Sequence, residues 1–329
     1  MPEENKKLPE ENKNHNRPKG RGIFNVSDNP SDNGELMQNN PATASSGVSE
    51  TNKNFTENRT KSEKSEKKIA IYIPARNAAK TILEVLERIP PEVKSRVKEI
   101  FVVDNASKDN TSLLVLEYKK SKNMPHLKVI HNAQDQGYGG SQKMAYKYAV
   151  EKGFDVIAML HGDAQYAPEY LSYLLKPVEN NEADLMFGSR MTGDPKKGGM
   201  PFWKRLGNRV LTRIENNILE TNLSEFHSGY RVYSVEALKK MPLEHCSNDY
   251  RFDSEILVLF ALLHLRIGER SIPTHYSSAS NSPSLYDLGV YAFNILSIMN
   301  RYFLHKKGWR KNSLFSLAET NKDKDSPGE

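Results

Sequence analysis

Short apolar runs that alternate with helical segments are the feature of this 329-residue sequence that most restricts its fold. The segments between the runs carry apolar residues at helical spacing. This alternation predicts repeated βα units, and therefore an α/β fold with a mostly parallel sheet flanked by helices. In such a sheet, ligands bind beyond the carboxyl ends of the strands. The runs cover residues 69–73, 100–103, 127–130, 156–160 and 184–188.

Composition divides the chain into four parts. Residues 1–66 are crowded with Asn, Lys, Glu and Ser, and they cannot bury enough apolar surface to offset the entropy of ordering. We therefore expect a disordered tail at 1–66, and a second one at 312–329. Residues 67–283 are predicted to form one domain, whose second half lies on the same sheet as the first. Residues 284–311 are predicted to form an amphipathic helix with a basic, aromatic end.

Charge and cysteine content exclude several classes of protein. The net charge is +6, but the basic residues are scattered among acidic ones, so no nucleic-acid interface is predicted. A phosphorylated substrate or an anionic surface fits this charge equally well. A single cysteine, Cys246, excludes an intrachain disulfide and a CxxC metal site. The amino terminus has no apolar secretory core, so we expect a cytoplasmic location.

The strongest local signal is the hexapeptide His-Gly-Asp-Ala-Gln-Tyr at 161–166, which directly follows an apolar run. Asp163 and Gln165 place a carboxylate and an amide oxygen two residues apart. Both are hard oxygen ligands, suited to Mg²⁺ or Mn²⁺ that takes most of its other ligands from phosphate and water. The alternative is a turn in which Asp163 caps a helix that begins near Pro168.

Polar residues follow two other strands at the same predicted edge. Residues 74–77 end the first strand, and Asp104 ends the second, where an acidic residue can bind a base or ribose. Asp109 is expected to serve only the turn. The turn Gly137–Gly140 is not a dinucleotide fingerprint, because Gln142 occupies the third glycine position. Two interpretations stay open: its amides approach a phosphate or sugar, or it is a turn alone.

The order of these motifs resembles the family 2 glycosyltransferases with the GT-A fold, particularly the dolichol- and polyprenyl-phosphate sugar synthases. The resemblance extends from Lys67 to about Tyr276 and depends on several motifs in order. Residues 74–77 are similar to P-A-x-N-E, 102–111 to V-V-D-D-x-S-x-D-x-T, 161–166 to D-x-D-x-Q, 188–190 to G-S-R, and 228–231 to S-G-F-R.

The resemblance implies that a sugar moves, with inversion and with a metal, from a GDP- or UDP-sugar to a polyprenyl or dolichyl phosphate. It implies a metal site at Asp163 and Gln165, with His161 as a third candidate ligand. His161 stands where the family usually has an aspartate, and Ala78 replaces its glutamate. Hard Mg²⁺ disfavours a nitrogen ligand, so we expect Asp163 to dominate. The implied substrate contacts are Pro74, Ala75, Asn77, Asp104, Gly137 and Ala164.

Arginines suit an anionic acceptor, because the guanidinium group meets phosphate with two hydrogen bonds. Arg190, at the end of the fifth strand, is predicted to make that contact. Arg205 and Arg231 are second candidates, for which a surface ion pair is the alternative. If the acceptor were a sugar hydroxyl, Asp253 would act as the base. The glycine-rich loop 191–201 is predicted either to close over the acceptor or to be a plain surface loop.

A lipid acceptor raises the question of membrane contact, and residues 285–304 form the most apolar helix candidate. Polar residues interrupt this segment, so it is not expected to span a bilayer. With the basic residues 306–311, it is predicted either to lie peripherally on an anionic membrane surface or to pack on the catalytic domain. Three rival functions remain: transfer to a soluble or cell-surface glycan, sugar nucleotidyl transfer, and sugar-nucleotide binding without catalysis.

Overall fold

A computed structural model describes residues 66–192, 200–273 and 285–324 of the chain. The predicted amino-terminal tail, apart from its last residue, lies outside these ranges. Most of the loop 191–201 that was predicted to close over the acceptor also lies outside them.

A seven-stranded mixed sheet forms the centre of the molecule, in the order β3-β2-β1-β4-β6-β5-β7. Only β6 is antiparallel to its neighbours, and every other pairing is parallel. The prediction of a mostly parallel α/β sheet flanked by helices is therefore confirmed. The strands are β1 Ile69–Ala75, β2 Glu99–Asn105, β3 Leu127–Asn132, β4 Val156–Met159, β5 Leu185–Ser189, β6 Arg231–Ser234 and β7 Ile267–Ser271.

Helices cover both faces of this sheet. The side chains of β1 alternate between two cores: Ile71 faces the core on one side, and Tyr72 faces the core on the other. Burial on both faces explains why the sequence shows continuous apolar runs. The helices are α1 Ile82–Arg88, α2 Pro91–Arg96, α3 Thr111–Ser121, α4 Tyr138–Glu151, α5 Leu171–Glu179, α6 Phe202–Leu219, α7 Val235–Lys239, α8 Phe252–Leu262, α9 Leu285–Lys306 and α10 Ser313–Lys324.

The antiparallel strand β6 decides which segments meet at the edge of the sheet. Strands β1, β2 and β4 are parallel and end at the same edge. Because β6 runs the opposite way, it begins at that edge, with Arg231 paired to Met159 of β4. The segments 161–166 and 228–231, which are far apart in sequence, are therefore neighbours in space.

The carboxyl-terminal segment corrects one prediction. Residues 312–329 were expected to be disordered, but Ser313–Lys324 forms helix α10, which contacts α8. The apolar side chains Leu314, Phe315 and Ala318 lie on one helical face and are buried. The sequence prediction failed because this stripe is short, and its stability comes from the apolar helix that it packs against.

Helix α9 packs on the catalytic domain through Ile295, Ile298, Met299 and Tyr302, which are all buried. This is one of the two outcomes that the sequence left open. Its opposite face is exposed to solvent. Across the described ranges, no helix is both long enough and apolar enough to cross a bilayer.

We expect Phe315→Ala to lower the free energy of unfolding by about 3–5 kcal/mol, because it empties a buried aromatic site. Phe315 is 1% exposed, whereas Leu317 on the same helix is 38% exposed and makes a matched control. Leu317→Ala should cost about 0.5 kcal/mol or less. Urea unfolding of both variants measures the difference, and equal small losses would show that α10 does not pack as described.

Candidate active site

A cavity of about 1100 Å³ opens at the carboxyl ends of β1, β2 and β4. It is lined on one side by strand-end residues and on the other by residues of α6 and α9. Of the predicted site residues, Pro74, Ala75, His161, Asp163, Gln165, Arg190 and Asp253 lie on its wall. Ligand sites usually have volumes of roughly 300–1000 Å³, so this cavity is at the large end of that range.

The turn after β4 places Asp163 and Gln165 on the cavity wall. Gly162 is fixed beneath β1, because its amide donates to the Pro74 carbonyl at 3.2 Å and its carbonyl accepts from the Thr81 hydroxyl at 2.7 Å. Ala164 then adopts a left-handed backbone conformation (φ 59°). That bend lets the Gln165 amide donate to Asp163 Oδ1 at 3.1 Å. Ala164 itself is not among the lining residues, so its predicted substrate contact stays a prediction.

The donor atoms at this turn suit one kind of metal ion. In the part of the chain that the structure describes, no three His, Cys, Asp or Glu side chains are grouped to hold a metal by themselves. An ion that takes most of its ligands from a diphosphate and from water needs only one or two protein oxygens. The Asp163 carboxylate and the Gln165 amide oxygen fit that requirement.

His161 is packed into the floor of the site. Its ring meets Tyr166 edge-on at 5.4 Å, and Nε2 lies 3.5 Å from the Tyr138 hydroxyl. A Cβ at Gly229 would lie only 2.4 Å from Nε2, so only glycine fits beside this ring. Burial lowers the pKa of His161, which keeps the imidazole neutral. These contacts enclose Nε2, so only Nδ1 of His161 is left as a candidate metal ligand. Metal ligation by His161 stays a prediction.

Arg231 is fully buried beneath the cavity, which corrects the prediction of a surface ion pair or a substrate contact. Its Nη1 lies 3.2 Å from Asp253 Oδ1, and its Nε donates to the Ser228 carbonyl at 2.8 Å. Burial alone would lower the pKa of Arg231, but the Asp253 carboxylate outweighs it and raises that pKa. The guanidinium therefore stays charged inside the protein and is inaccessible to a ligand.

Two further donors hold the Asp253 carboxylate. The Tyr138 hydroxyl donates to Oδ2 at 3.1 Å, and Gln142 Nε2 donates to Oδ1 at 3.0 Å. Burial raises the pKa of Tyr138 far above its usual range, so the hydroxyl keeps its proton. Together with Arg231, these donors occupy both oxygens of the Asp253 carboxylate. The contacts hold the side chain in place, and its predicted role as a base stays a prediction.

Arg190 lines the cavity, but its guanidinium is paired with Glu225 rather than directed only at solvent. Its Nε donates to Glu225 Oε1 at 2.8 Å, and its backbone amide donates to Oε2 at 2.9 Å. Burial would raise the pKa of Glu225, but the charge and hydrogen bonds of Arg190 outweigh it and lower that pKa. The Arg190 guanidinium was predicted to bind the acceptor phosphate, but a large part of it is used to neutralise the buried Glu225 carboxylate.

The predicted nucleotide contacts Asn77 and Asp104 hold the loops at the edge of the sheet. The backbone amide of Asn77 donates to Ser107 Oγ at 2.9 Å, and the side-chain Oδ1 of Asn77 accepts from the backbone amide of Lys108 at 2.8 Å. Asp104 is almost completely buried and accepts from the Ser107 amide at 3.0 Å. Neither residue lies on the cavity wall, whereas the neighbouring Asn105 does. Direct contact of Asn77 or Asp104 with the nucleotide stays a prediction.

The glycine turn before α4 packs against protein, which favours the second of the two interpretations, that it is a turn alone. The amides of Gly139 and Gly140 both donate to the Asn248 carbonyl, at 2.7 and 3.1 Å. A Cβ at Gly137, which has φ 74°, would lie 2.3 Å from the same oxygen. The glycines are required because the backbone segment at Asn248 comes so close, and their amides are not available for a ligand.

Other residues on the wall were not identified from the sequence. Tyr250 is exposed and stacks on Tyr138, with ring centroids 4.7 Å apart. Trp203 and Lys204 line the opposite wall from α6. No sequence motif includes these three residues, and only the folded chain brings them to the cavity. Arg205, a predicted substrate contact, instead lies over the Phe202 ring at 5.5 Å and is not on the wall.

We predict that Arg190→Ala destabilises the protein by about 3–5 kcal/mol at about pH 7.5, because it leaves Glu225 buried and charged. In the wild type, the lowered pKa of Glu225 gives stability that is lost as the pH falls. Without Arg190, burial raises that pKa, so protonation relieves the penalty at low pH. The loss measured by denaturant unfolding should therefore shrink between about pH 7.5 and about pH 5.

Arg88→Ala is the matched control, since Arg88 pairs with Glu84 and Glu169 near the surface. Its cost should be about 1 kcal/mol or less. Similar losses for both arginines, independent of pH, would contradict the buried pair.

We expect Gly229→Ala to cost about 1–3 kcal/mol by overpacking, because the new methyl group meets His161. His161→Ala should relieve that clash, so the double variant should lose less than the sum of the two single losses, by about 1 kcal/mol or more. Gly289→Ala is the control, since a Cβ there has no neighbour within 4 Å. Additive losses in a thermal unfolding cycle would mean that Gly229 and His161 are not in contact.

Comparison with known proteins agrees with this geometry. The sequence model of the family described as "Glycosyl transferase family 2" matches residues 70–241, more than half of the chain. One relative is the UDP-N-acetylglucosamine--dolichyl-phosphate N-acetylglucosaminyltransferase of Methanococcus voltae, with 28% identity over 65% of this chain and 88% of its own. Another is the undecaprenyl-phosphate mannosyltransferase of Micrococcus luteus, with 27% identity over 61% of this chain and 81% of its own.

Solved structures share the fold at lower identity. Glucosyl-3-phosphoglycerate synthase from Mycobacterium tuberculosis, solved with Mn²⁺, UDP and phosphoglyceric acid, aligns with a TM-score of 0.56 and 19% identity, over 76% of this chain and 81% of its own. Mannosyl-3-phosphoglycerate synthase from Rubrobacter xylanophilus gives a TM-score of 0.56 and 16% identity, over 75% and 77%. With strand-end oxygens on the wall of a large cavity and a family match over most of the sheet, the chain belongs to glycosyl transferase family 2 and is a glycosyltransferase of the GT-A fold.

Proposed function

We propose that this glycosyltransferase moves a sugar from a GDP- or UDP-sugar to the phosphate of a polyprenyl or dolichyl phosphate, with Mg²⁺ or Mn²⁺ bound. One observation carries the proposal: the cavity wall combines polar side chains at the strand ends with many apolar side chains on the opposite side. Asp163 and Gln165 lie at the strand ends, and the opposite side, which also carries Lys204 and Asn208, includes Met200, Trp203, Leu211, Leu288 and Val290. A lipid phosphate has the same division between a charged head and an apolar chain.

The names of two relatives support this acceptor class. One is named for transfer to dolichyl phosphate and the other for transfer to undecaprenyl phosphate. Each alignment covers more than four fifths of the relative's own length, so the similarity extends over most of those proteins.

We place the donor at the strand ends, with Pro74, Ala75 and Asn105 beside the nucleotide. A divalent ion held by Asp163 and Gln165 would supply positive charge to the diphosphate leaving group. The protein positions the sugar between that turn and the wall formed by α6 and α9. Tyr138 and Tyr250 offer stacked rings on the same wall, where the apolar face of a sugar ring can pack.

The acceptor phosphate meets positive charge at the α6 wall. Lys204 lines the cavity there, and burial, followed by the nearby charge of Arg190, lowers its pKa. We propose that Lys204 contacts the acceptor phosphate and that Arg190, although paired with Glu225, adds to the local positive potential. This assignment moves the main phosphate contact from the predicted Arg190 to a residue that the sequence did not single out.

We propose a single displacement with inversion. An oxygen of the lipid phosphate forms the new bond to the anomeric carbon, and the bond from that carbon to the nucleoside diphosphate breaks. Because the acceptor is already an anion, the reaction needs positioning and charge neutralisation more than a base. The three hydrogen bonds to the Asp253 carboxylate are in keeping with a positioning role for that residue.

The donor half of the proposal can be tested by calorimetric titration with GDP, UDP and their sugar derivatives, with and without Mn²⁺. We expect one nucleotide to bind in a metal-dependent manner, and Asp163→Asn to weaken binding by at least about tenfold. Asp155→Asn is the matched control, because Asp155 precedes the same strand at its opposite end and accepts from the Lys68 amide at 2.7 Å. The control should bind as the wild type does.

Three results would count against the proposed reaction. Binding of no nucleotide would favour a degenerate site, and equal binding without metal would remove the role of Asp163. Release of pyrophosphate from a nucleoside triphosphate and a sugar phosphate would instead identify a nucleotidyltransferase.

A further inference from the structure

Helix α6 packs Leu211, Ile218 and Leu219 on the core, yet it leaves further apolar side chains exposed on its outer face. A surface helix buries its apolar stripe and exposes its polar side. In α6, the buried side chains include Thr212 and Glu215, whereas Phe202, Leu206 and Val210 are more than half exposed. Spacings of four residues place these three on one outward face. An apolar face of this kind on a soluble surface indicates a site of interaction.

Hydrogen bonds on the inward face fix this orientation. Asn208 donates to Glu225 at 3.0 Å, and Asn216 donates to the Leu223 carbonyl at 2.8 Å. Rotating the helix to bury its exposed apolar face would break both hydrogen bonds and leave buried groups without partners. The exposed face is therefore a consequence of the network beneath it.

Helix α9 presents a second apolar face beside the cavity. Phe293 is 71% exposed, and Val290, Leu296 and Phe303 are exposed on the same side. The opposite side of α9 is buried in the core, so the helix carries apolar side chains on two sides, and polar residues such as Asn300 stand between them. Trp309, which follows the helix, is 73% exposed and meets Phe303 edge-on at 6.1 Å. We call the outward sides of α6 and α9 the α6–α9 face.

The charge on the α6–α9 face is basic. Arg209 and Arg213 are exposed among the apolar residues of α6, and the only acidic residue of that helix, Glu215, is buried. At the end of α9, Lys306 pairs with Glu220 at 2.8 Å, and the turn that follows adds three exposed cations, Lys307, Arg310 and Lys311. Exposed aromatic rings with arginine and lysine beside them suit an anionic lipid surface, where rings sit at the headgroup level and cations meet the lipid phosphates.

The α6–α9 face also continues into the cavity. Trp203 of α6 and Val290 of α9 are both exposed and both line the cavity wall. We infer that the α6–α9 face docks on an anionic membrane, with the mouth of the cavity at the lipid surface. The inference rests on the proposed function for its acceptor: a lipid phosphate could enter the cavity while its chain stays in the membrane.

A second copy of the chain fits this face less well than a membrane does. In a twofold contact, the same patch meets itself, so Arg209 and Arg213 would face the same arginines of the other copy. Like charges across such a contact repel, and no acidic side chain on the outward face of α6 offsets them.

Vesicle sedimentation tests the inference with phosphatidylcholine vesicles and with vesicles that contain phosphatidylglycerol at about three parts in ten. We expect the wild type to bind the anionic vesicles and the triple variant Phe202→Ser, Leu206→Ser, Phe293→Ser to bind at least about tenfold more weakly. None of these three residues lines the cavity. The matched control is Leu113→Ser, Leu116→Ser, two equally exposed leucines on α3.

A charge variant separates the contribution of the basic side chains from that of the apolar ones. Arg209→Gln, Arg213→Gln should weaken binding to anionic vesicles and reduce its salt dependence, whereas Lys120→Gln, Lys147→Gln should change neither. Undiminished binding by the triple variant would overturn the inference. So would concentration-dependent self-association of the wild type that the triple variant loses, because a second copy would then cover the face.

Transfer assays distinguish failure of docking from failure of the proposed function. The triple variant should keep the wild-type rate with a water-soluble short-chain prenyl phosphate and lose rate with a long-chain acceptor in vesicles. If the triple variant transfers to each of the two acceptors at the wild-type rate, the docking inference is wrong and the proposed function stands. If the wild type binds vesicles through this face but transfers to no prenyl phosphate, docking stands and the function is wrong.

Discussion

The buried ion pair between Arg231 and Asp253 connects the parts of the molecule that form the site. It joins the first residue of β6 to the first turn of α8, and the Asp253 carboxylate also accepts from Tyr138 and Gln142 of α4. The guanidinium lies over the Phe187 ring of β5, 4.9 Å from its centre. A buried charge is costly unless it is fully paired, so these elements are held in one arrangement.

The turn at 161–166 depends on that arrangement. With Arg231 fixed, β6 pairs with β4 in a single register, which brings Gly229 against the ring of His161. The Gly229 amide donates to the Tyr166 hydroxyl at 2.8 Å, which ties down the other end of the 161–166 segment. The exposed Asp163 thus lies between two anchored residues. Pre-organisation of this kind suits a reaction in which a charged diphosphate must be held in one place.

Much of the fold could be predicted from the sequence, because β1, β2 and β4 are local apolar runs with polar ends. The motifs at 74–77 and 161–166 also predicted the edge of the sheet at which the cavity lies. The strand β6 was missed because it has only four residues, and its pairing depends on partners distant in sequence. The partners of Arg190 and Arg231 were missed for the same reason: Glu225 and Asp253 are brought to them only by the folded chain.

The orientation of helix α6 could not be predicted from the sequence for a different reason. Apolar periodicity can predict a helix, but it assumes that the apolar side faces inward. Here Asn208 and Asn216 make their hydrogen bonds beneath the helix, and apolar side chains such as Leu206 are left exposed. This arrangement can be seen only once the hydrogen-bond partners are in place.

The central claim is that this cavity transfers a sugar to a lipid phosphate. It is tested most directly by mass spectrometry of a reaction that contains Mn²⁺, a short-chain prenyl phosphate and each GDP- or UDP-sugar in turn. The account predicts a glycosyl prenyl monophosphate, formed in equal amount with the nucleoside diphosphate and absent with Asp163→Asn. Release of free sugar alone, or a product that forms equally well with Asp163→Asn, would contradict it.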